Sequence, residues 1–139
     1  MWCDDGDVRY EWRGPLQRDE LHSLLADVWT EPLRESDVAE RVKRCSLGWV
    51  TARDDRGVLV GFVNIAWDGG VHSFLLDISV AAKVQRQGIA TQLVRRAVDG
   101  ARTAGCEWME VDFEPHLRKL YIENCGFRST DAGLLRLRG

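Results

Sequence analysis

The sequence is poor in the residues that carry most metal and redox chemistry. It has three histidines and four cysteines in 139 residues. Cys3, Cys45, Cys106 and Cys125 form no C-x-x-C pair, and no histidine stands at metal-ligand spacing from them. A zinc site is therefore not expected, nor any other metal, and the cysteines read as small apolar or boundary thiols. A basic excess is also missing: 19 Lys and Arg stand against 22 Asp and Glu, for a net charge of −3, with the signs interspersed. Proteins that grip a phosphate backbone usually gather cations on one face, so nucleic acid is not an expected partner. No apolar run approaches the roughly 20 residues needed to cross a bilayer, so no membrane partner is expected. Met1 to Tyr10 is acidic and lacks the basic-then-apolar pattern of a signal peptide, which makes a cytoplasmic location the default. Neither G-x-G-x-x-G nor G-x-x-x-x-G-K-[ST] occurs, which removes the usual dinucleotide and P-loop fingerprints.

The chain does have the material for a core. Hydrophobic residues make up 45% of it, including six tryptophans. Its length fits one domain, residues 1–139, and it contains no repeat, linker or low-complexity stretch. Val8–Trp12 reads as a strand ended by Gly14-Pro15. Leu21, Leu24, Leu25, Val28 and Trp29 recur at three and four, which predicts a helix over Arg18–Thr30, stopped by Pro32. Ser36 can cap a second helix, Asp37–Cys45. Trp49–Ala52 and Val58–Ile65 flank the turn residues Asp54-Asp55-Arg56-Gly57 and predict a hairpin. Val71–Val80 is apolar enough for a strand buried on both faces.

Gly88 opens an amphipathic helix whose stripe is Ile89, Leu93, Val94, Ala97, Val98 and Ala101, with Gly105 as its C-terminal stop. Trp108–Phe113 alternates as a strand. Pro115 suits the first turn of a last helix, which carries Leu117, Leu120 and Tyr121 and stops at Gly126. Phe127–Ser129 and Leu134–Arg138 are candidates to close the sheet. The order β-α-α-β-β-β-α-β-α-β predicts an α/β domain with a mixed sheet.

The passage from Leu75 to Ala101 is the most informative. A buried strand ends near Val80, a short loop holds Gln85, Arg86, Gln87 and Gly88, and a strong helix follows at once. The first N–H groups of a helix have no internal partner, and the macrodipole adds positive character there. A diphosphate finds ready donors at such an end. Gly88 clears a side chain from the anion's approach, Ala90 keeps the next contact small, and Arg86 adds a full charge. The plainer alternative is a strand-to-helix turn that needs a small residue.

Gln85, Gly88 and Ala90 fill the three defined positions of a pattern written Q/R-x-x-G-x-G/A, and Tyr121 lies five residues before the pair Gly126-Phe127. In that order, with the strand Trp108–Phe113 between them, these segments resemble the signature of the GNAT superfamily of N-acetyltransferases. The resemblance spans about Val8 to Leu137 and is closest from Leu76 onward. It implies a mostly antiparallel mixed sheet with a splayed central pair of parallel strands and about four helices. It implies acetyl-CoA as acyl-donor co-substrate, lying between Val71–Val80 and Trp108–Phe113. Pantetheine would pair with the backbone of Ile78, Ser79 and Val80, as an added strand does. Gln85, Arg86, Gln87, Gly88, Ile89, Ala90 and Thr91 would hold the pyrophosphate. A backbone N–H near Ile78–Val80 would polarise the thioester carbonyl.

The implied reaction is direct attack of an amine on the thioester. An alkylammonium has a pKa of about 10.4, so a base or water chain must remove a proton at neutral pH. Tyr121 is the family's candidate for the acid that protonates the departing thiolate; its plainer reading is a core aromatic. For the base, Asp112 and His72 are the first choices, with Asp77, Glu110 and Glu114 also open. Each has an ordinary reading as a solvated polar group.

The chain departs from the family's usual pattern in two places. Glu114 stands where many members have Asn, and Ala82 where many have Pro.

The acceptor is expected to be a primary amine of a small molecule or peptide. Trp29, Trp49, Trp67 and His72 are candidates to line its pocket, and Asp68 to hold a cationic amine. The family resemblance also allows a homodimer. Two other readings stay open at this level. One is a non-catalytic acyl-CoA-binding regulatory or partner domain on the same fold; the other is a nucleotide-binding module using the same helix end.

Overall fold

The structure, a computed structural model, describes residues 7–139. Cys3, and the acidic N-terminal stretch as far as Gly6, lie outside the described residues. Five strands form one sheet in the order of the chain. They are β1 (Arg9–Trp12), β2 (Gly48–Arg53), β3 (Leu59–Trp67), β4 (His72–Val80) and β5 (Trp108–Val111). The first three junctions are antiparallel and the β4–β5 junction is parallel. The sheet is thus mixed and mostly antiparallel, as expected.

The parallel pairing is short. It runs from His72↔Trp108 to Leu75↔Val111 and stops there, while β4 continues to Val80. β5 accordingly ends at Val111, short of the expected Phe113. The two strands part in a fork that opens beside Leu76–Val80.

Three helices cover the sheet: α1 (Arg18–Val28), α2 (Val38–Cys45) and α3 (Ile89–Thr103). Strand β3 shows why they take opposite faces. A Cβ on Gly61 would lie 3.1 Å from Leu93 Cδ1 and 3.2 Å from Ile89 Cγ2, so this glycine lets α3 sit close against the sheet. Asn64, three residues on, points to the other face. There it accepts a 2.5 Å hydrogen bond from Ser46 Oγ at the end of α2. Helix α1 is tied to β2 by two 2.7 Å bonds from the Arg53 guanidinium to the Glu20 carboxylate. That guanidinium holds Glu20 below the usual carboxylate range.

Helix α3 ends as its sequence suggests. Gly105 takes φ 103, its N–H donates to Arg102 O, and Cys106 N–H donates to Ala101 O, each at 3.0 Å. These paired bonds close the helix end.

Gly100, inside the same helix, has a different cause. An added Cβ would fall 2.3 Å from Trp12 Cε3, and one on Gly48 would fall 2.5 Å from the same ring. Helix propensity alone favours Ala over Gly by about 1 kcal/mol. Overpacking against a rigid indole costs about 1–3 kcal/mol. Gly100→Ala is therefore expected to lower the melting temperature, and Trp12→Leu in the same chain to relieve the loss. A melting temperature raised by the single change would refute the socket argument.

Three expectations are corrected. The cap of α2 is Asp37, not Ser36: Asp37 has extended backbone, and its carboxylate accepts from Glu40 N–H at 2.9 Å. The last helix is not a regular α-helix. It begins as a 3-10 turn, Pro115–Leu117, and continues as a π-helical stretch, Lys119–Asn124. Finally, Phe127–Ser129 and Leu134–Arg138 form no strands. Leu134, Leu135 and Leu137 are 80–86% exposed. The alternation of Leu with Arg suits an edge strand, but a strand exists only against a partner, and none of the described strands pairs with these residues. β5 is consequently the sheet's last strand.

Candidate active site

The loop after β4 is built to turn main-chain N–H groups outward. Its first turn, Ala82–Val84, is anchored by Asp27 of α1, which accepts from Ala82 N–H at 2.8 Å. Gln85 folds back, and its Nε2 donates to Val80 O at 3.1 Å. This side chain braces the loop against the strand end. Arg86 (φ 67) and Gly88 (φ 84) both take left-handed backbone, with exposed Gln87 between them. Such a turn curls successive N–H groups into one concavity. Gly88 is the N-cap of α3 and makes no side-chain cap bond. No acceptor among the described residues meets the five N–H groups from Gln87 to Thr91. These donors, the helix dipole and the Arg86 cation suit a diphosphate.

The fork supplies the second part. Beyond Leu75, β4 has no strand partner on the β5 side, so the backbone of Ile78, Ser79 and Val80 is paired to no strand there, with Val80 O accepting from Gln85. On its β3 side the ladder is interrupted: Asn64 pairs with Leu76 and Phe62 with Ser79. Asp77 and Ile78 together oppose Val63, a bulge of one extra residue. The bulge bends β4 away just where the fork begins. Ser79 is buried, and its hydroxyl donates to Asp77 O at 3.2 Å.

Tyr121 is 2% exposed on the π-helical stretch. Its ring lies 5.0 Å from that of Phe113, just past β5, and 5.8 Å edge-on from that of Phe127. Burial pushes its phenol up to about 12, with the Cys125 thiol adding to the effect. The Gly126-Phe127 pair holds the geometry, since Phe127 N–H donates to Tyr121 O at 2.9 Å.

The other expected site residues are spread out. Asp112 is exposed just past β5, at the mouth of the fork. His72 lies at the paired end of β4, roughly 16 Å along the strand from Asp77 at about 3.3 Å per residue. Its Nδ1 sits 3.6 Å from Asp68 Oδ2. Asp68 itself organises the hairpin turn by accepting from Gly70 N–H at 2.7 Å and His72 N–H at 3.3 Å. Trp49 Nε1 donates to Gly14 O at 2.8 Å, a scaffold contact. Trp67 is exposed at the same hairpin as His72, and Trp29 caps the end of α1.

The acetyltransferase (GNAT) family model matches residues 18–127, more than half of the chain. This protein belongs to the GNAT acetyltransferase family. No curated protein sequence matches it. Among solved structures it resembles a probable acetyltransferase of meticillin-resistant Staphylococcus aureus, with TM-score 0.78 and 20% identity over 95% of this chain and 99% of that one. It also resembles the enzyme AAC(6')-Iy bound to the bisubstrate analogue CoA-S-monomethyl-acetylneamine, with TM-score 0.76 and 19% identity, covering 96% and 99% of the two chains. A third is glucosamine-6-phosphate N-acetyltransferase of Arabidopsis thaliana, with TM-score 0.68 and 14% identity, covering 92% and 97%. At these identities the likeness is one of fold.

As a GNAT chain, its described residues contain no cluster of side chains able to hold a metal ion, and no helix long and apolar enough to cross a membrane. Asp77 is among the residues open for the base, but its left-handed backbone and the bulge around it are features that sequence patterns missed. An acid in the middle of an otherwise apolar run was the available signal.

Proposed function

We propose that the protein transfers an acetyl group from acetyl-CoA to a primary amine of a small molecule or peptide. The observation that carries this reading is the row of five outward N–H groups at Gly88, set beside a β4 backbone left open by the fork. The first fits a diphosphate, and the second fits an amide-bearing chain laid alongside as an extra strand. A single molecule with pantetheine and pyrophosphate spans both. Among the similar structures, AAC(6')-Iy is bound to an acetylneamine bisubstrate analogue and another is a glucosamine-6-phosphate N-acetyltransferase, which supports an amine acceptor here.

In this reading the neutral amine attacks the thioester carbon directly, and Tyr121 serves the departing sulfur. An ordinary thiol has a pKa of about 8.5. A phenol pushed up to about 12 does not give such a thiolate its proton outright. Tyr121 instead passes a proton on: its O–H goes to sulfur as the nitrogen's surplus proton reaches its oxygen. No tyrosinate accumulates. Asp112, at the fork's mouth, stands nearer this chemistry than His72, which is held at the far end by Asp68.

Thiol release from acetyl-CoA across a panel of primary amines tests the reading. Amine-dependent release is expected, with acetyl-CoA binding measurable by calorimetry. Tight binding with no release to any amine would instead favour a regulatory acyl-CoA-binding domain.

A further inference from the structure

Asp77 stands out within the sheet. Four non-glycine residues have positive φ among the described ones, and Asp77 (φ 59) is the one inside a strand. Left-handed backbone costs an ordinary L-residue about 1–2 kcal/mol, least for Asn and Asp. Such conformations persist where the surroundings hold them, and they gather at functional positions. Here the bulge does the holding. Without it, Asp77 would follow Leu76 onto the opposite face of β4, towards α3. With it, the carboxyl faces α1 and α2, close enough to feel the Arg41 guanidinium and the Asn64 side chain.

The surroundings leave this carboxylate available. Ser46 Oγ donates to Asn64 Oδ1 at 2.5 Å, so the Asn64 amide oxygen is occupied and its N–H groups remain to act on Asp77. Arg41 of α2 is the nearby cation, but its Nε is committed to Glu35 Oε2 at 2.7 Å. Asp77 enters no salt bridge with the described residues. A half-buried acid, one residue before the open Ile78–Val80 backbone, thus feels a cation without being neutralised by it.

We propose that Asp77 takes the proton from the acceptor's ammonium group, and that the acceptor therefore enters the fork from the face of α1 and α2. This rests on the transferase reading above. The protons balance. R–NH3⁺ gives one proton to the Asp77 carboxylate, and the freed lone pair bonds to the thioester carbon. The C–S bond then breaks with its pair left on sulfur. The nitrogen's second proton reaches that sulfur through Tyr121, and the third stays on the product amide. Asp77 returns its proton to solvent.

The charged groups acting on Asp77 are Arg41 and Glu35. Burial raises its carboxyl above the usual range, Arg41 and the Asn64 amide pull it down, and Glu35 raises it. The base works only when ionised, so the rate falls as pH drops through this raised value. The two neighbours then give shifts of opposite sign. Arg41→Met moves the acid limb of the pH–rate profile to higher pH, and Glu35→Gln moves it to lower pH.

The test is kcat against pH for wild type and variants, with an amine found in the panel. Asp77→Asn keeps the size and tolerates left-handed backbone. It is expected to lower kcat at least thirtyfold at pH 7, remove the acid limb, and leave acetyl-CoA affinity within about twofold. A retained limb in Asp77→Asn, with turnover intact, overturns the proposal and leaves the transferase reading standing. Should Asp77→Asn fail to fold, the neighbours decide: opposite shifts support the assignment, and an unmoved limb in both overturns it. Acetyl-CoA binding without transfer to any amine overturns both readings together.

Discussion

Gly88→Val is expected to weaken acetyl-CoA binding about a hundredfold, read by calorimetry, while the fold survives. A hundredfold is about 2.7 kcal/mol. Gly88 holds φ 84 at the head of α3, where a β-branched residue is strongly disfavoured. The valine chain escapes that strain by moving the loop, and the loop carries the donors. Because the five N–H groups act as one concave array, a shift in one φ misaims several bonds at once. Hydrogen bonds to an anion are roughly twice as strong as neutral ones, and several are misaimed together, so the loss exceeds that of one bond. Gly88→Asn, which accepts left-handed backbone, is expected to lose much less. Equal affinity for wild type and valine variant, with α3 intact by circular dichroism, would remove this loop from the cofactor site.

Tyr121→Phe is expected to lower turnover about a hundredfold, in the range of lost proton-transfer catalysis, with acetyl-CoA affinity within about twofold. The variant is clean for a physical reason. The phenylalanine ring keeps the contacts with Phe113 and Phe127, and the hydroxyl has no hydrogen bond to the described residues. Nothing buried is left unsatisfied, so stability should change by less than about 1 kcal/mol. The phenol's rise to about 12 adds a second readout. Tyr121 holds its proton through neutral and mildly alkaline pH, so any alkaline limb in that range belongs to another group and survives in the variant. Turnover equal to wild type would leave Tyr121 as a core aromatic.

What the sequence disclosed was local. The loop and α3 followed from Gly88, the apolar stripe and Gly105, all within one segment whose turn chemistry and periodicity are self-contained. Tyr121 and its distance to Gly126-Phe127 were visible for the same reason. What it concealed depends on partners far along the chain. Leu76-Asp77-Ile78 contains no glycine or proline, and its bulge exists only because Phe62 and Asn64 pair with Ser79 and Leu76. Leu134–Arg138 has a strand's alternation, but alternation does not supply a neighbour to pair with. The end of β5 at Val111 is fixed by the divergence of two strands rather than by a stop signal. Gln85 looked like a ligand donor in the pattern, and its Nε2 also braces the loop by donating to Val80 O, a role that depends on the strand end. Ser36 and Asp37 are both good caps, and local propensity does not choose between neighbours.

Strand β3 carries Gly61 towards α3 and Asn64 towards Asp77, only three positions apart. At about 3.3 Å per residue these sites are roughly 10 Å from each other along one extended segment in the middle of the sheet. The seat of the donor-binding helix and the partner of the proposed proton acceptor are thus graduations on a single stiff ruler. Loops that frame the acceptor can lengthen, shorten or change character without altering that spacing. The fold separates a dimension that must be conserved from surfaces that are free to diverge.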